Sequence, residues 1–175
     1  YPVAVQATHT LSLLTLKPGL FTAQGRDHAG DIWFDDLQVA GAWASATALL
    51  NGHEATQPWR QPRPHASHKG RMGDVLVVGG AAGMQGAATL AAHAALRAGA
   101  GRVFVSTLAA SPPTLPELMW QPEHWQDAQA VSQATVVAGC GGGEAIAAAL
   151  PLLLSRAPRL VLDADALNAV AADPA

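Results

Sequence analysis

Cysteine is almost missing from this chain. Cys140 is the one thiol in 175 residues, which excludes an internal disulfide framework and any multi-cysteine metal site and fits a reducing, cytoplasmic setting. Charge is also scarce, at 13% of residues, and the net charge of −3 comes from scattered acids and bases. No basic stripe for a nucleic acid and no basic arm for a membrane surface results. Long apolar runs are lacking as well: the longest, Ala145 to Leu154, contains Pro151 and is too short to span a bilayer. The first residue is Tyr1, and no charged-then-apolar leader follows it, so the chain reads as an internal piece of a longer polypeptide. What remains is half apolar, a balance expected of elements buried on both faces, as in a parallel sheet covered by helices.

The first 39 residues carry two β-favouring runs. ATHTLSLLTL at 7–16 is broken by KPG, and DIWFDDL at 31–37 alternates Ile32 and Phe34 with Trp33 and Asp35, a two-faced strand pattern. TAQGRDHAGD between them reads as a polar turn. Two strands cannot bury themselves, so this is expected to be the edge of a domain. Residues 40–52 suit a short helix ending at Gly52, and residues 53–70, with Pro58, Pro62 and Pro64, form the clearest linker.

From residue 68 onward strands and helices alternate. Strands are expected at 74–80, 102–107, 134–139 and 159–165, and helices at 84–99, 144–156 and 166–174, with a proline-rich loop after 107. That order predicts an α/β fold with a mostly parallel sheet.

Two glycine clusters sit where a strand ends and a helix begins: Gly79, Gly80, Gly83 and Gly86, then Gly139, Gly141, Gly142 and Gly143. Free backbone N–H groups at such junctions bind anions, and ligands of open α/β sheets lie at the carboxyl ends of strands. The first cluster has the spacing G-G-x-x-G-x-x-G, not the dinucleotide fingerprint G-x-G-x-x-G. Its second strand ends in Ser106 and Thr107 rather than a ribose-binding acid, and no G-K-S/T loop occurs. Close helix–strand packing is the competing reason for these glycines. Asp163 and Asp165 end the last strand and face a metal or ligand hydroxyl, or Asp165 is the N-cap of a helix from Ala166. Asn168 lies one turn further on. Lys69 is either a phosphate contact or a solvated residue, and the seven histidines show no metal-ligand spacing.

HKGRMGDVLVVGGAAGMQGAA, ALRAGAGRV, PELM and LVLDADALN, in this order, closely resemble the NAD(P)H-hydrate dehydratase family of the ribokinase-like superfamily. LTLKPGLFTAQGRDHAGDIWFDDL resembles the closing strands of a Rossmann-like NAD(P)H-hydrate epimerase domain, an isomerase that precedes the dehydratase in bifunctional proteins. The resemblance implies residues 1–39 as the end of an epimerase domain, 40–67 as a helix and linker, and 68–175 as the first part of a three-layer α/β/α dehydratase domain.

A carbon–oxygen lyase of metabolite repair is thereby implied. It uses ADP, or ATP, with Mg²⁺, to phosphorylate the ring hydroxyl of the S epimer of NADH or NADPH hydrate, whose elimination restores the cofactor. The implied substrate-facing residues are Gly83, Gly86 and Ala87, then Gly139, Gly141 and Gly143, with Asp163, Asp165 and Asn168 near the same crevice. A homo-oligomer is also implied, with no nucleic acid or membrane partner. Cys140 stands where the family usually has proline. The family's H-P-G-E segment, lysine–glycine nucleotide loop and G-T-G-D motif with its catalytic aspartate are expected beyond residue 175, so no catalytic residue is expected in this chain. A ribokinase-like small-molecule kinase and a non-catalytic nucleotide-binding module are the alternatives.

Overall fold

The computed structural model describes residues 4–39, 48–52 and 62–173. Two compact units, Tyr1–Pro62 and Arg63–Ala175, divide the chain.

In the first unit, strands β1 (His9–Leu13) and β2 (Asp31–Asp35) pair in parallel, with His9 opposite Asp31 and Leu13 opposite Asp35. Parallel neighbours need a crossover rather than a tight turn. The chain supplies one through a 3₁₀ turn, Pro18–Leu20, and helix α1 (Ala23–Ala29). The segment expected to be a polar turn is therefore largely helical. Its sequence hides this because Ala29 is its one buried residue and Gly25 is a poor helix former. The face alternation expected in β2 is also incomplete: Ile32 is half-buried, but Trp33 and Phe34 are both exposed. Most of the helix expected over 40–52 lies outside the described residues, and 48–52 are not helical. The linker is described only from residue 62 onward.

The second unit is a five-stranded sheet in the order β5-β4-β3-β6-β7. Its strands are β3 (Asp74–Gly79), β4 (Arg102–Thr107), β5 (Met119–Trp120), β6 (Ala134–Ala138) and β7 (Arg159–Leu162). Every neighbouring pair is parallel. The expected α/β architecture is thus present. Alternate residues of β3 feed two cores. Leu76 and Val78 join Val136, Ala138 and Leu153 on one face, while Val77 joins Val103, Val105, Ala88 and Ala92 on the other. Burial on both faces explains why the strands read as unbroken apolar runs.

Helix α2 (Gln85–Ala98) covers one face, and its alanines at 88 and 92 let it lie close to the sheet. It ends at Gly99, whose left-handed φ of +107° permits the closing bonds from Gly99 N–H to Leu96 O and from Ala100 N–H to Ala95 O. The other face carries α3 (Ala128–Gln133), α4 (Leu150–Arg156) and α5 (Ala164–Ala172). Three expectations shift here. The loop after β4 contains β5, a 3₁₀ turn and the start of α3, so Met119 of the P-E-L-M segment begins a strand. The helix expected over 144–156 is a 3₁₀ segment, Gly143–Ala148, followed by α4, with Pro151 tolerated in the first turn of α4. Strand β7 stops at Leu162, and α5 begins two residues earlier than expected.

The strand order places the functional geometry. From β3 the chain winds outward to β4 and β5, then returns to the opposite flank of β3 for β6 and β7. Connections after β3 and β6 consequently leave toward opposite faces, and a crevice opens between their carboxyl ends. At the other end of the sheet, Arg102 grips Asp74 with both Nε and Nη2 and lies over the Phe104 ring. Leu76, fully buried in the central strand, tests the core: Leu76→Ala is expected to lower the unfolding free energy by about 3 kcal/mol, read from the urea midpoint.

Candidate functional site

Past the last ladder residues, the two glycine loops remain zipped together. Gly80 N–H donates to Cys140 O at 2.9 Å, and Ala81 N–H donates to Gly141 O at 2.7 Å. Such an approach needs bare backbone. A Cβ on Gly79 would collide with Cys140 O, and one on Gly141 would stand 2.7 Å from Met84 O and 2.9 Å from the Ala87 Cβ. For these positions close packing is a sufficient reason for glycine.

Gly83 and Gly86 differ, because a Cβ at either would meet nothing within 4 Å. Gly83 has a backbone reason, a φ of +80°, which side-chain-bearing residues rarely adopt. Gly86 has neither a positive φ nor a neighbour to avoid, and sits exposed in the first turn of α2. The fold does not account for it. Helix α2, like α1 and α4, begins without a side-chain cap bond and without an acid in its first turn; its N-cap is Met84. Its own first turn therefore supplies no side-chain acceptor for the free N–H groups at its positive end.

The second loop forms the other wall. Gly139 packs where a Cβ would be 2.7 Å from that of Ala166, and Asp163 N–H donates to Ala138 O at 2.9 Å. Asp163, not Asp165, occupies the N-cap of α5, and it makes no side-chain cap bond. The capping expectation for Asp165 is therefore overturned. Asp165 lies inside the first turn, where its Oδ2 accepts the Gly143 N–H at 2.9 Å. Gly143, Glu144, Asp165, Asn168 and Ala169 are among the residues lining a groove of about 510 Å³.

Burial pushes the Cys140 thiol up to about 11, helped by the nearby Asp163 carboxylate. The thiol stays protonated at neutral pH and is a donor, not a nucleophile.

The nine residues singled out from sequence thus fall into linked groups. Ala87 abuts Gly141, Gly139 abuts the Asp163–Ala166 turn, and Asp165 binds Gly143 and shares the groove with Asn168. Gly83 and Gly86 are on the first loop and touch none of the others through a would-be side chain. Lys69 is elsewhere. It belongs to the 3₁₀ turn leading into the amino end of β3, about 20 Å of strand from the glycines, so it is no phosphate contact at this crevice. Among the described residues no group of three or more His, Cys, Asp or Glu could hold a metal.

A third wall escaped the sequence. Leu108 and Ala109 N–H donate to Gly79 O and Gly80 O at 2.8 and 3.1 Å. The buried Thr107 hydroxyl donates to Ser111 O at 2.8 Å and accepts the Trp120 indole N–H at 2.9 Å. Gln85 then reaches Ser111 Oγ at 3.3 Å, tying this loop to the start of α2. Thr107 is thus spent on holding this loop, and the Ser106 hydroxyl donates to Gln121 O, just past β5, at 2.6 Å. Two hydroxyl residues at a strand end before a proline pair were the available signal.

A parallel sheet with glycine loops meeting at its switch point is the architecture of the ribokinase-like α/β class. A solved ribokinase-like superfamily protein from Enterococcus faecalis is similar, with a TM-score of 0.58 and 25% identity over 65% of this chain and 44% of its own. The family model for NAD(P)H-hydrate dehydratase matches residues 75–175, and the chain belongs to that family. The bifunctional NAD(P)H-hydrate repair enzyme of Escherichia coli is 36% identical over 97% of this chain and 35% of its own length. That of Coxiella burnetii is 35% identical over 98% and 38%. The chain therefore spans little more than a third of these relatives.

Two measurements check the site. Alkylation of Cys140 by iodoacetamide should speed up with pH around a midpoint above 9, because the thiolate is disfavoured by burial and by the nearby Asp163; a midpoint at the ordinary thiol value would refute that placement of the thiol. Gly86→Ala should raise the unfolding free energy by about 0.5 kcal/mol, whereas Gly141→Ala should lower it, both read by urea unfolding.

Proposed function

We propose that this chain supplies the hydrate-facing wall of an ADP- or ATP-dependent NAD(P)H-hydrate dehydratase, in a polypeptide that also carries NAD(P)H-hydrate epimerase. Family membership of residues 75–175 supports the first part, and the bifunctional relatives matched along nearly the whole chain support the second. The observation that carries the reading is Gly86: a glycine with no packing or backbone reason, on an uncapped helix end beside the Gly139–Gly143 loop. Clearance for a ligand explains it.

The reaction removes the ring hydroxyl of the S epimer after its phosphorylation, and the nucleotide supplies that phosphoryl group. This chain's residues bind and orient. The first turn of α2 offers N–H groups to an anionic part of the dinucleotide, and the Gly139–Gly143 loop offers bare backbone that a ring can approach. Asp163 and Asn168 stand at the start of α5 for hydroxyl contacts. No residue of the chain is assigned as the catalytic base. The Mg²⁺ is proposed to arrive with the nucleotide phosphates.

Complete polypeptide incubated with hydrated NADH and ADP or ATP should recover NADH absorbance. Failure with both donors, alongside phosphorylation of a sugar or other small alcohol, would make the chain part of a small-molecule kinase instead. Gly86→Leu should weaken hydrate binding by at least about tenfold through steric intrusion, while leaving the fold intact; unchanged affinity would show that the first loop does not touch the substrate.

A further inference from the structure

We propose that Asp165 is a positioning residue, acting on the substrate through the second glycine loop rather than by contact; this rests on the dehydratase reading above. Gly139, Gly141 and Gly143 all have positive φ, at +106°, +59° and +52°. A five-residue stretch with that much glycine loses more conformational freedom on ordering than ordinary backbone does, so something outside it must hold its shape. Two anchors come from the first loop, through Gly80 N–H to Cys140 O and Ala81 N–H to Gly141 O. Both grip the front of the loop. The rear is gripped by the Asp165 carboxylate, through its bond from Gly143 N–H.

That carboxylate is presented by a fixed backbone. Ala166, its neighbour, is fully buried against Gly139, and Asp163 N–H is tied to Ala138 O. Nor is Asp165 spent on its own helix, since Asp163 holds the N-cap position and no side chain caps α5. A charged acceptor on a backbone N–H makes a stronger bond than a neutral one. Proline at position 140 would stiffen the loop by fixing φ; this chain has Cys140 there, which leaves more of the task to the rear anchor. Asp165 thereby couples the β7–α5 junction to the loop wall that faces the groove.

The test uses the complete polypeptide with hydrated NADPH, assayed with ADP and with ATP. Asp165→Ala should raise KM for the hydrate about tenfold while kcat falls less than about threefold, the cost of one charge-assisted bond to a binding wall. Asp165→Asn keeps an oxygen that can accept the Gly143 N–H and should recover most of that loss. Amide exchange at Gly143 should quicken in the alanine variant and slow again in the asparagine variant. Where alanine proves unstable, Asp165→Ser, too short to reach Gly143, should show the same KM and exchange changes. An unchanged KM in the alanine or serine variant overturns the proposal. So does an asparagine variant as impaired as alanine with Gly143 still protected, because the charge would then be acting on the ligand directly. If wild-type protein does not turn the hydrate over, the dehydratase reading fails, while unaltered Gly143 exchange across the variants would separately refute the anchor.

Discussion

The close approach of two backbones beyond the ends of β3 and β6 sets the terms for the rest of the second unit. Parallel strands normally diverge once their ladder ends, since each must turn into its own crossover. Here the divergence is delayed by two further bonds, from Gly80 to Cys140 and from Ala81 to Gly141. Those bonds require main chain at van der Waals distance, which in turn requires Gly79 and Gly141 to lack side chains. The crossovers then depart on opposite faces, and α2 on one side and the 143–148 segment on the other frame the opening.

Glycine therefore performs separate tasks within one motif. At 79 and 141 it allows contact with protein, at 83 it satisfies a left-handed turn, and at 86 it leaves space. The distinction matters because a packing explanation and a ligand explanation had seemed to compete for the whole cluster. They apply to different residues. A residue kept small without a structural reason also carries a stability cost relative to alanine in a helix, the usual mark of a position held for function rather than folding.

Much of the second unit was legible from sequence because its physics is local. The runs at β3, β4 and β6 are rich in valine and bounded by glycine or polar turns, and α2 is an alanine helix with a glycine stop, so propensity and tertiary burial agree. Elements without a burial signature were missed. Strand β5 has two residues on the sheet edge, and α1 buries only Ala29. Helix α3 is six residues long and is capped by Asp127, whose side chain accepts from Gln129 and Ala130 N–H; that capping signal was present, but no apolar period followed it. In D-A-D-A either acid could precede the helix, and the choice of Asp163 goes with tertiary contacts that sequence does not display, Ala166 against Gly139 and Asp165 on Gly143 N–H. The Thr107–Trp120–Ser111–Gln85 contacts join residues up to 26 apart, a tertiary arrangement that no local pattern encodes.

The crevice that results is electrostatically uneven. On the α2 side the first turn carries no acid and no side-chain cap, so the helix's own sequence does not offset its partial positive charge. On the α5 side Asp163 and Asp165 stand near the second loop, and after burial their charge helps to keep the Cys140 thiol protonated. An elongated ligand with anionic groups at one end and hydroxyls at the other meets complementary charge in only one orientation. Phosphates placed toward α5 would lie among carboxylates, a like-charge arrangement that costs affinity, whereas phosphates toward α2 meet N–H donors. A serine or aspartate in place of Met84 would steady the start of α2 but would also occupy N–H donors of its first turn, which now have no side-chain cap.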